Sequence, residues 1–375
     1  MKVLLIGSFA ESLVNFRGDL IRSIGNAGHD VHVAAPELLC ASGLCEQLTL
    51  MGASVYDVSL SRTGLNPLAD LKSLVSLWRL CRTVKPDLIL TYTIKPVVYG
   101  TLAATLAGVK YRYTLITGLG YVFNAPSNGV RGILKRILLG LYRVALSCAT
   151  RVIFQNADDR NLFVDKSLVA SRKAKIVSGS GVNIERFAVT PFISRQQGIH
   201  FLFIGRLIAD KGIYEFVEAA RRVRQHYPQC QFHLVGWIDT NLSAIDRNEL
   251  DRWVTDGLIV YHGRLEDVRP VIEKSHVFVL PSYREGVPRT VLEAMAMGRP
   301  IITTDAPGCR ETVENGVNGY LVPVKDSASL AGTMLKFIEN PELIDRMGAA
   351  SRKRVEAVFD VHKVNAAMLD IMELS

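Results

Sequence analysis

The 375-residue sequence predicts an α/β protein with two doubly wound domains, each a parallel sheet covered by helices. At about 150 residues per domain, this length favours two or three domains. Short apolar runs rich in β-formers alternate with longer amphipathic stretches, a pattern typical of parallel sheets buried on both faces. The alternation begins again after a polar segment that contains Pro191. Hydrophobic residues make up 49% of the chain, which is sufficient for two cores and excludes a mainly disordered protein.

The first half contains an alternating series of predicted strands and helices. The strands are predicted at 2–6, 31–35, 54–58, 87–92, 112–116 and 151–154. The helices are predicted near 12–27, 40–51, 66–84, 96–107 and 130–147. The strand segments are apolar almost throughout, as expected for strands with helices on both sides.

The second half repeats this scheme. Its strands are predicted at 199–204, 231–235, 258–261, 277–280, 301–304 and 319–322, and its helices near 211–226, 266–274, 290–297, 326–339 and 341–357. The predicted organisation is a first domain at 1–182, a linker at 183–198, a second domain at 199–357, and a C-terminal helix at 358–375 that packs back on the first domain. We expect ligands at the carboxyl ends of the strands and in a cleft between the domains.

Composition and charge exclude several protein classes. No unbroken apolar run is long enough for an ordinary transmembrane helix. The six dispersed cysteines predict reduced thiols and a cytoplasmic protein, and the histidines and cysteines show no zinc-binding spacing. The net charge of +8 is concentrated in residues 1–180, which contain 21 basic and 11 acidic residues. This asymmetry predicts an anionic partner, such as a nucleic acid, a membrane surface or a phosphorylated substrate, although solvated helix faces would also account for it.

The segment from Pro281 to Pro300 is the most informative. Pro281, Gly286 and Pro288 predict a loop between a buried strand and a helix that begins near Thr290. A helix start at the carboxyl end of a strand has free backbone N–H groups, which suit a phosphate.

Two carboxylates lie within this segment, Glu285 in the loop and Glu293 one turn inside the helix. Carboxylates accept hydrogen bonds from vicinal hydroxyls, so this pair suits a sugar or a ribose. An ordinary solvated acid and a helix-surface acid are the alternative.

A second cluster runs from Gly205 to Gly212 and follows the predicted strand 199–204. Arg206 and Lys211 flank a turn that opens a helix. Two cations at this position can neutralise a diphosphate, because arginine provides a forked contact and lysine a point charge. Solvated charges on an N-terminal turn remain the alternative.

These motifs resemble those of the retaining GT-B glycosyltransferases of glycosyltransferase family 4, which use nucleotide-sugar donors. The resemblance covers nearly the whole chain. It is carried by Gly205-Arg206 with Lys211-Gly212, the Pro281–Pro300 segment with its E-x7-E, Pro307-Gly308-Cys309-Arg310-Glu311, and Asn315-Gly316-Val317-Asn318-Gly319-Tyr320. The first half is similar to the subgroup that extends polyprenyl-diphosphate-linked sugars, including N-acetylgalactosaminyltransferases. That similarity is carried by Asn15-Phe16-Arg17, Thr117-Gly118-Leu119-Gly120 and Val182-Asn183-Ile184-Glu185-Arg186-Phe187.

The resemblance implies roles for individual residues. Arg206 and Lys211 would hold the donor diphosphate and stabilise charge on the leaving nucleotide, while Glu285 would contact the donor sugar. Glu293 would bind the ribose hydroxyls. The other implied donor contacts are Gly7, Ser8, Gly205, Arg264, Leu265, Gly286, Val287, Pro288, Arg289 and Thr290.

The first domain departs from the family pattern at two places. Many members have a Gly-Gly pair in the first loop, where this chain has Gly7-Ser8, and many have a histidine in cleft loops that correspond to 91–95 or 114–121, where this chain has none. The first-domain residues that we expect near the acceptor or the reacting carbon are Asn15, Arg17, Tyr92, Lys95, Thr117 and Gly118.

The expected mechanism requires no metal and no cofactor. The chain has no Asp-x-Asp clamp in a suitable loop, in agreement with the metal independence of the family, and its first half has no obvious carboxylate nucleophile. Since a nucleoside diphosphate is already a good leaving group, electrostatic stabilisation can supply much of the catalysis. We therefore favour a same-face displacement assisted by the diphosphate.

Segment 130–147 has one broad apolar face, with Arg131, Lys135, Arg136 and Arg143 on the opposite face and the flank. Such a helix can lie in a membrane interface. It can equally pack on the sheet.

The sequence thus predicts a retaining hexosyltransferase, attached peripherally to the inner face of the cytoplasmic membrane. It would move an N-acetylhexosamine or a hexose from a UDP-sugar to a polyprenyl-diphosphate-linked glycan, in the synthesis of cell-surface polysaccharide or glycoprotein glycans. A nucleotide-sugar 2-epimerase of the same architecture is one alternative. A basic nucleic-acid-binding protein is the other, although the aromatic and basic residues follow no nucleic-acid-binding pattern.

Overall fold

The computed structural model describes residues 1–60, 66–119, 129–239 and 243–375. The chain forms two compact units. The first comprises Met1–Ser180 together with His362–Ser375, and the second comprises Gly181–Val361. Each unit is built on one sheet in which every described strand pair is parallel.

The sheet of the first unit has the strand order β3-β2-β1-β4-β5-β6-β7. Its strands are β1 (Lys2–Ile6), β2 (Asp30–Ala35), β3 (Ala53–Asp57), β4 (Leu88–Tyr92), β5 (Tyr111–Ile116), β6 (Arg151–Phe154) and β7 (Ala174–Ile176). The helices between them are α1 (Glu11–Asn26), α2 (Ser42–Leu50), α3 (Pro67–Val84), α4 (Thr101–Leu106), α5 (Gly129–Ser147) and α6 (Ala157–Asp165). A π-helical turn, Pro96–Gly100, precedes α4.

The sheet of the second unit has the order β10-β9-β8-β11-β12-β13. Its strands are β8 (His200–Ile204), β9 (Gln231–Val235), β10 (Val260–Tyr261), β11 (Val277–Leu280), β12 (Ile301–Thr304) and β13 (Gly319–Val322). Its helices are α7 (Ile213–Arg224), α8 (Arg247–Thr255), α9 (Arg269–Glu273), α10 (Arg289–Ala296), α11 (Ser327–Glu339) and α12 (Glu342–Arg354). The last helix of the chain is α13 (Val361–Ile371).

The prediction of two doubly wound α/β sheets is confirmed. Every strand predicted from the sequence is present, with its ends within two residues of the predicted ones. Strand β7 and helices α6 and α8 were not predicted. In both sheets the strand order reverses beside the first strand. In the first sheet β1 lies between β2 and β4, and in the second sheet β8 lies between β9 and β11. This arrangement defines a topological switch point, where ligands of open α/β sheets bind.

Residues 183–198, predicted as a linker, form part of the second unit. Two buried or half-buried arginines bind this segment through its carbonyl groups. Arg299 donates from Nη1 to the carbonyl oxygen of Thr190 at 2.9 Å, and Arg352 donates to that of Phe187 at 3.2 Å. The segment therefore follows the surface of the second unit closely, because its carbonyl groups are satisfied there.

Helix α13 completes the core of the first unit. Met368, Met372 and Leu374, in and just after this helix, are buried together with Leu5 and Val33. Hydrogen bonds fix the same segment, because the carbonyl oxygen of Leu374 lies 2.9 Å from Nε2 of His29. The first unit is therefore assembled from both ends of the sequence.

Candidate active site

The carboxyl edge of the second sheet brings together the residues that the sequence singled out. Because all the strands are parallel, the loops that follow β8, β9, β10 and β11 leave the sheet at one edge. Arg206 follows β8, Asp239 follows β9, Arg264 follows β10, and Glu285 follows β11.

Close backbone approach holds these loops together. Gly212 has a positive φ of 73°, and a Cβ atom there would collide with the carbonyl oxygen of Pro281. The Tyr283 N–H donates to the carbonyl oxygen of Asp210 at 2.9 Å. The turn before α7 and the loop after β11 are thus packed backbone to backbone, which brings Lys211 beside Glu285.

Both predicted diphosphate-binding cations have carboxylate partners. Arg206 donates from Nη1 to Oδ2 of Asp239 at 2.6 Å, and Lys211 donates from Nζ to Oε1 of Glu285. The Arg206 side chain is about one-third exposed, whereas Lys211 and Glu285 are largely covered. A diphosphate at this edge would meet two cations already held in place, and it would compete with two carboxylates for them.

The loop that carries Glu285 is supported from the neighbouring strand. The Glu285 N–H donates to the carbonyl oxygen of Pro307 at 2.9 Å. Gly308 has a φ of 81°, and a side chain there would strike the carbonyl oxygens of Glu285 and Gly286. Residues 307–308 therefore fix the position of the Glu285 loop at the sheet edge. They belong to one of the segments that carried the family resemblance.

Glu293 and Arg289 form an ion pair along the first turn of α10, with Nε and Oε1 3.0 Å apart. Glu293 is buried, and burial raises the pKa of its carboxyl group, although Arg289 opposes this rise. The hydroxyl of Thr290 donates to the carbonyl oxygen of Ile204 at 3.2 Å, which ties the start of α10 to the end of β8. Gly286, Val287 and Pro288 are buried just before the helix.

An aromatic group lies beside Arg264, one of the donor contacts that the family resemblance implies. The guanidinium of Arg264 lies over the ring of Trp237, 4.9 Å from its centroid, and Trp237 and Leu265 are both exposed. Trp237 follows β9 and Arg264 follows β10, so this contact joins two loops of the same sheet edge. Trp237 and Asp239 were not predicted. Their position just after a buried strand indicates that they lie at the sheet edge, but it does not indicate which residues they contact.

In the first unit, Gly7 lies against Tyr92. A Cβ atom on Gly7 would collide with the Tyr92 hydroxyl, which is itself 2.8 Å from Oγ of Ser12. Arg17, also buried, lies over the Tyr92 ring at 5.2 Å. Burial raises the pKa of Tyr92 to about 12, against the opposing effects of the Ser12 hydrogen bond and the Arg17 charge. Gly7, Arg17 and Tyr92 therefore form one packed group, with buried Ser8 next to it in the chain.

Lys95 is not a free cation at this edge. Its Nζ lies 2.8 Å from Oδ1 of Asp70 in α3, and both side chains are buried. Asp70 also accepts a hydrogen bond from Tyr99, which helps burial to raise the Tyr99 pKa to about 12. If Lys95 approaches the acceptor, as expected from the sequence, an anionic group of the acceptor would have to compete with Asp70 for it.

The other first-domain predictions lie at separate positions. Asn15 is exposed on α1, and half-buried Thr117 and Gly118 follow β5, with φ of 128° at Gly118. Gly120 lies outside the described residues.

Helix α5 packs on the first unit along one side. Leu138, Tyr142 and Leu146 are buried in a cluster with Phe163 of α6. Arg143 donates to the carbonyl oxygens of Lys166 and Ser167, where α6 ends. Arg136, Ile137 and Val144 are exposed. The side chains of Arg131 and Lys135 lie outside the described part of the structure.

The described residues contain no group of three or more His, Cys, Asp or Glu side chains arranged to hold a metal ion. Within the same residues, no helix combines the length and the apolar character that a membrane span requires. The cysteines are free thiols.

Two family models match the chain. Residues 15–178 match the glycosyl transferase 4-like domain, and residues 198–340 match the glycosyl transferases of group 1. Together the two matched regions include most of both compact units.

Curated relatives cover almost the full length. The chain is 27% identical, over 92% of its length and 91% of the relative, to N,N'-diacetylbacillosaminyl-diphospho-undecaprenol alpha-1,3-N-acetylgalactosaminyltransferase of Campylobacter jejuni. It is 24% identical to the capsular polysaccharide biosynthesis glycosyltransferase CapM of Staphylococcus aureus, over 96% of the chain and 93% of CapM. It is 27% identical to UDP-Gal:alpha-D-GlcNAc-diphosphoundecaprenol alpha-1,3-galactosyltransferase of Escherichia coli, over 80% of the chain and 78% of that enzyme.

Solved structures share the fold. HepE of Anabaena in complex with UDP superposes with a TM-score of 0.76 at 19% identity, with all of both chains covered. Sucrose-phosphate synthase of Thermosynechococcus elongatus superposes with a TM-score of 0.79 at 18% identity, over 100% of this chain and 98% of that one.

The fold, the carboxyl-edge site and these matches define a hexosyltransferase with two α/β units. The chain belongs to the group 1 glycosyl transferases with a glycosyl transferase 4-like first domain. The predicted resemblance to GT-B enzymes of glycosyltransferase family 4 is confirmed, and these matches favour a glycosyltransferase over the epimerase and nucleic-acid-binding alternatives.

Proposed function

We propose that this glycosyltransferase moves a hexose or an N-acetylhexosamine from a UDP-sugar to a polyprenyl-diphosphate-linked glycan, with retention of anomeric configuration. Two of the relatives are named for undecaprenol-diphosphate-linked acceptors, and one of these is named for a UDP-sugar donor. The observation that carries the proposal is the pair of cations, Arg206 and Lys211, beside the carboxylates Glu285 and Glu293 at one sheet edge.

The chemistry follows from these groups. Arg206 and Lys211 would bind the diphosphate and stabilise the negative charge that develops on it as the bond to the sugar breaks. Glu285 would accept hydrogen bonds from the sugar hydroxyls, and Glu293 from the ribose. The acceptor hydroxyl would attack on the face that the diphosphate leaves, and a diphosphate oxygen would take its proton. No metal ion is required in this scheme, because the two cations provide the positive charge.

We further propose that the protein works at the inner face of the cytoplasmic membrane without spanning it. The lipid part of a polyprenyl-diphosphate acceptor stays in the bilayer, so the enzyme must approach the membrane surface to reach the sugar. The excess of basic residues in the first half suits an anionic surface.

Hydrolysis of nucleotide-sugars tests which donor the enzyme uses, and sugar transfer tests which acceptor it uses. The protein is first incubated with a panel of nucleotide-sugars, and released nucleotide is measured. The donors that react are then offered with a short-chain polyprenyl-diphosphate sugar, and the anomeric configuration of the product is read by NMR. Hydrolysis of only non-uridine donors, or a product of inverted configuration, would refute the proposal.

A further inference from the structure

Helix α3 presents an apolar face to solvent. Leu68, Leu71, Val75 and Trp78 are 79%, 57%, 37% and 39% exposed, and we call these four residues the α3 stripe. Their spacing of three or four residues places them along one side of the helix. A contiguous exposed stripe of large apolar side chains usually marks a surface for a partner or a membrane.

The opposite face of α3 is fixed in the core, so the stripe is not the result of a loosely held helix. Leu77, Leu80, Cys81 and Val84 are buried in a cluster that includes Ile89 of β4. The helix begins with a well-formed cap, in which the side chain of Asn66 accepts from two backbone N–H groups and Pro67 occupies the first turn. The rotation of the helix is therefore set by packing, and this packing turns the stripe outward.

Cations accompany the stripe. Lys72, Arg79 and Arg82 are exposed, and each lies four residues after a member of the stripe, on the same side of the helix. Asp70 is the helix's one acidic residue, and it is buried in its pair with Lys95. The exposed face of α3 therefore carries apolar and positive groups without an exposed carboxylate from the helix itself.

The stripe begins next to the edge where first-unit substrate residues are expected. Lys95 follows β4, so its ion pair with Asp70 ties the first turn of α3 to the carboxyl edge of the first sheet. A surface that rests on the stripe would thus be adjacent to the edge that carries Tyr92 and Thr117.

We propose that the α3 stripe docks the first unit on an anionic lipid bilayer. This inference rests on the proposed function, which gives the enzyme a lipid-linked acceptor. A membrane interface accepts leucine and tryptophan side chains between headgroups, and anionic headgroups attract the accompanying cations. A second copy of the chain is disfavoured as occupant, because a two-fold contact through α3 would bring together two faces that carry cations and no exposed carboxylate from the helix.

Among the side chains that the structure describes, helix α3 offers more to a bilayer than the predicted membrane helix α5. In the described part of α5, the large aliphatic side chains that are exposed are Ile137 and Val144, whereas Leu138 and Leu146 are buried. Arg143 of α5 is engaged with the end of α6. The two helices therefore make different predictions, which matched variants can separate.

The test measures sedimentation with vesicles of phosphatidylcholine, with and without phosphatidylglycerol. The triple variant Leu68→Ser, Leu71→Ser, Trp78→Ser should bind the anionic vesicles at least about tenfold more weakly than the parent. Leu50→Ser on α2 is the matched control, because Leu50 is 81% exposed outside the stripe, and it should bind like the parent. An α5 variant, Arg136→Glu with Ile137→Ser, should lose much less affinity than the triple variant.

Trp78 also provides a direct signal. Its fluorescence should shift to the blue when anionic vesicles are added, and Trp78→Phe should abolish the shift while Trp237→Phe should not. The proposal is refuted if the parent does not bind anionic vesicles, or if the triple variant binds as well as the parent. It is also refuted if the α5 variant alone releases the protein, or if the triple variant instead converts a dimer to a monomer.

Separate readouts distinguish this inference from the proposed function. UDP-sugar hydrolysis in the absence of vesicles should be the same for the parent and the triple variant. If the parent transfers to a short, soluble acceptor but ignores vesicles, the docking inference fails and the function stands. If the parent binds vesicles through α3 but uses no polyprenyl-linked acceptor, the proposed function fails and the docking surface stands.

Discussion

Lys211 and Glu285, which are 74 residues apart in the sequence, form a hydrogen-bonded ion pair at the carboxyl edge of the second sheet. Each of them is expected to bind a different part of the donor. Before the donor arrives, each therefore keeps the other oriented and neutralises its charge. Arg206 forms a second ion pair at this edge, with Asp239.

Replacement of either cation should reduce turnover strongly. Arg206→Ala and Lys211→Ala each remove a positive charge from the site of the developing diphosphate charge, and kcat should fall by about two to three orders of magnitude. Arg221→Ala, which breaks an exposed pair with Glu218 on α7, should leave kcat unchanged. Steady-state kinetics with a reactive donor decide the matter, and unchanged kcat in both site variants would contradict the assignment.

Glu285→Gln should separate binding from catalysis. The amide keeps the shape of the side chain but no longer neutralises Lys211, so UDP should bind at least as tightly as it does to the parent. Transfer should still fall, because the sugar hydroxyls lose a charged acceptor worth about 1.5–3 kcal/mol. Calorimetry with UDP and kinetics with the UDP-sugar give the two values. Weaker UDP binding with normal turnover would be the opposite of this expectation.

Glu293 should control nucleotide affinity in a pH-dependent way. Glu293→Ala should weaken UDP binding by about 1–3 kcal/mol, because hydrogen bonds to a charged group are lost. Burial raises the pKa of this carboxyl and Arg289 lowers it, so Arg289→Gln should move the acidic loss of affinity to higher pH. UDP titrations of the parent, Arg289→Gln and Glu293→Gln across the acidic range measure the shift. If UDP affinity falls at the same pH in Arg289→Gln and in the parent, protonation of Glu293 is not the cause of the loss.

Transfer should continue in the presence of excess chelator. The proposed scheme assigns all positive charge at the diphosphate to Arg206 and Lys211, so EDTA should not reduce the rate. The assay is run with and without EDTA, and with added magnesium or manganese. Loss of activity in EDTA that either ion restores would show that a metal ion takes part.

A row of imidazoles crosses the second sheet. Nδ1 of His233 lies 3.0 Å from Nε2 of His262, and its Nε2 lies 3.2 Å from Nδ1 of His200. His276 accepts from the His200 backbone N–H at 3.0 Å. Burial is the main cause that lowers the pKa of all four histidines, to about 4 for His233 and His276. The charge of Lys274 also lowers the pKa of His262, and the charges of Arg195 and Arg299 also lower that of His276.

This row should make the protein sensitive to acid. Above pH 6.5 these histidines are neutral in both folded and unfolded chains, so their full contribution is present. As the pH falls from 6.5 to 4, the unfolded chain takes up protons that the folded chain does not, so the free energy of unfolding falls. Urea unfolding at several pH values should show a shallower pH dependence for His233→Gln. Equal slopes for variant and parent would contradict this reading.

The elements that the sequence predicted are those with strong apolar patterns. Two of the three elements that it missed, strand β7 and helix α6, have weak ones. Strand β7 has only three residues, of which Lys175 and Ile176 are exposed, and in helix α6 only Asp159 and Phe163 are buried. Such segments take their structure from the neighbours on which they pack, and a local pattern does not contain that information.

The site shows the same division. Arg206, Lys211 and Glu285 could be found because Gly- and Pro-rich turns after buried strands mark them. Their partners could not all be found, because nothing in the sequence indicates that Asp239 meets a cation 33 positions earlier. For the same reason the sequence does not indicate that Lys95, an expected first-domain site residue, pairs with Asp70.

The packing of α13 in the first unit has a consequence for folding on the ribosome. Residues 181–361 are contiguous and contain the whole second core, so this unit can fold as soon as it has left the exit tunnel. The first unit is synthesised earlier, but it lacks Met368, Met372 and Leu374 until the second unit has been synthesised. The usual order, in which the N-terminal domain folds first, is therefore reversed for the final consolidation of this chain. Until then, the apolar cluster that contains Leu5 and Val33 lacks part of its packing.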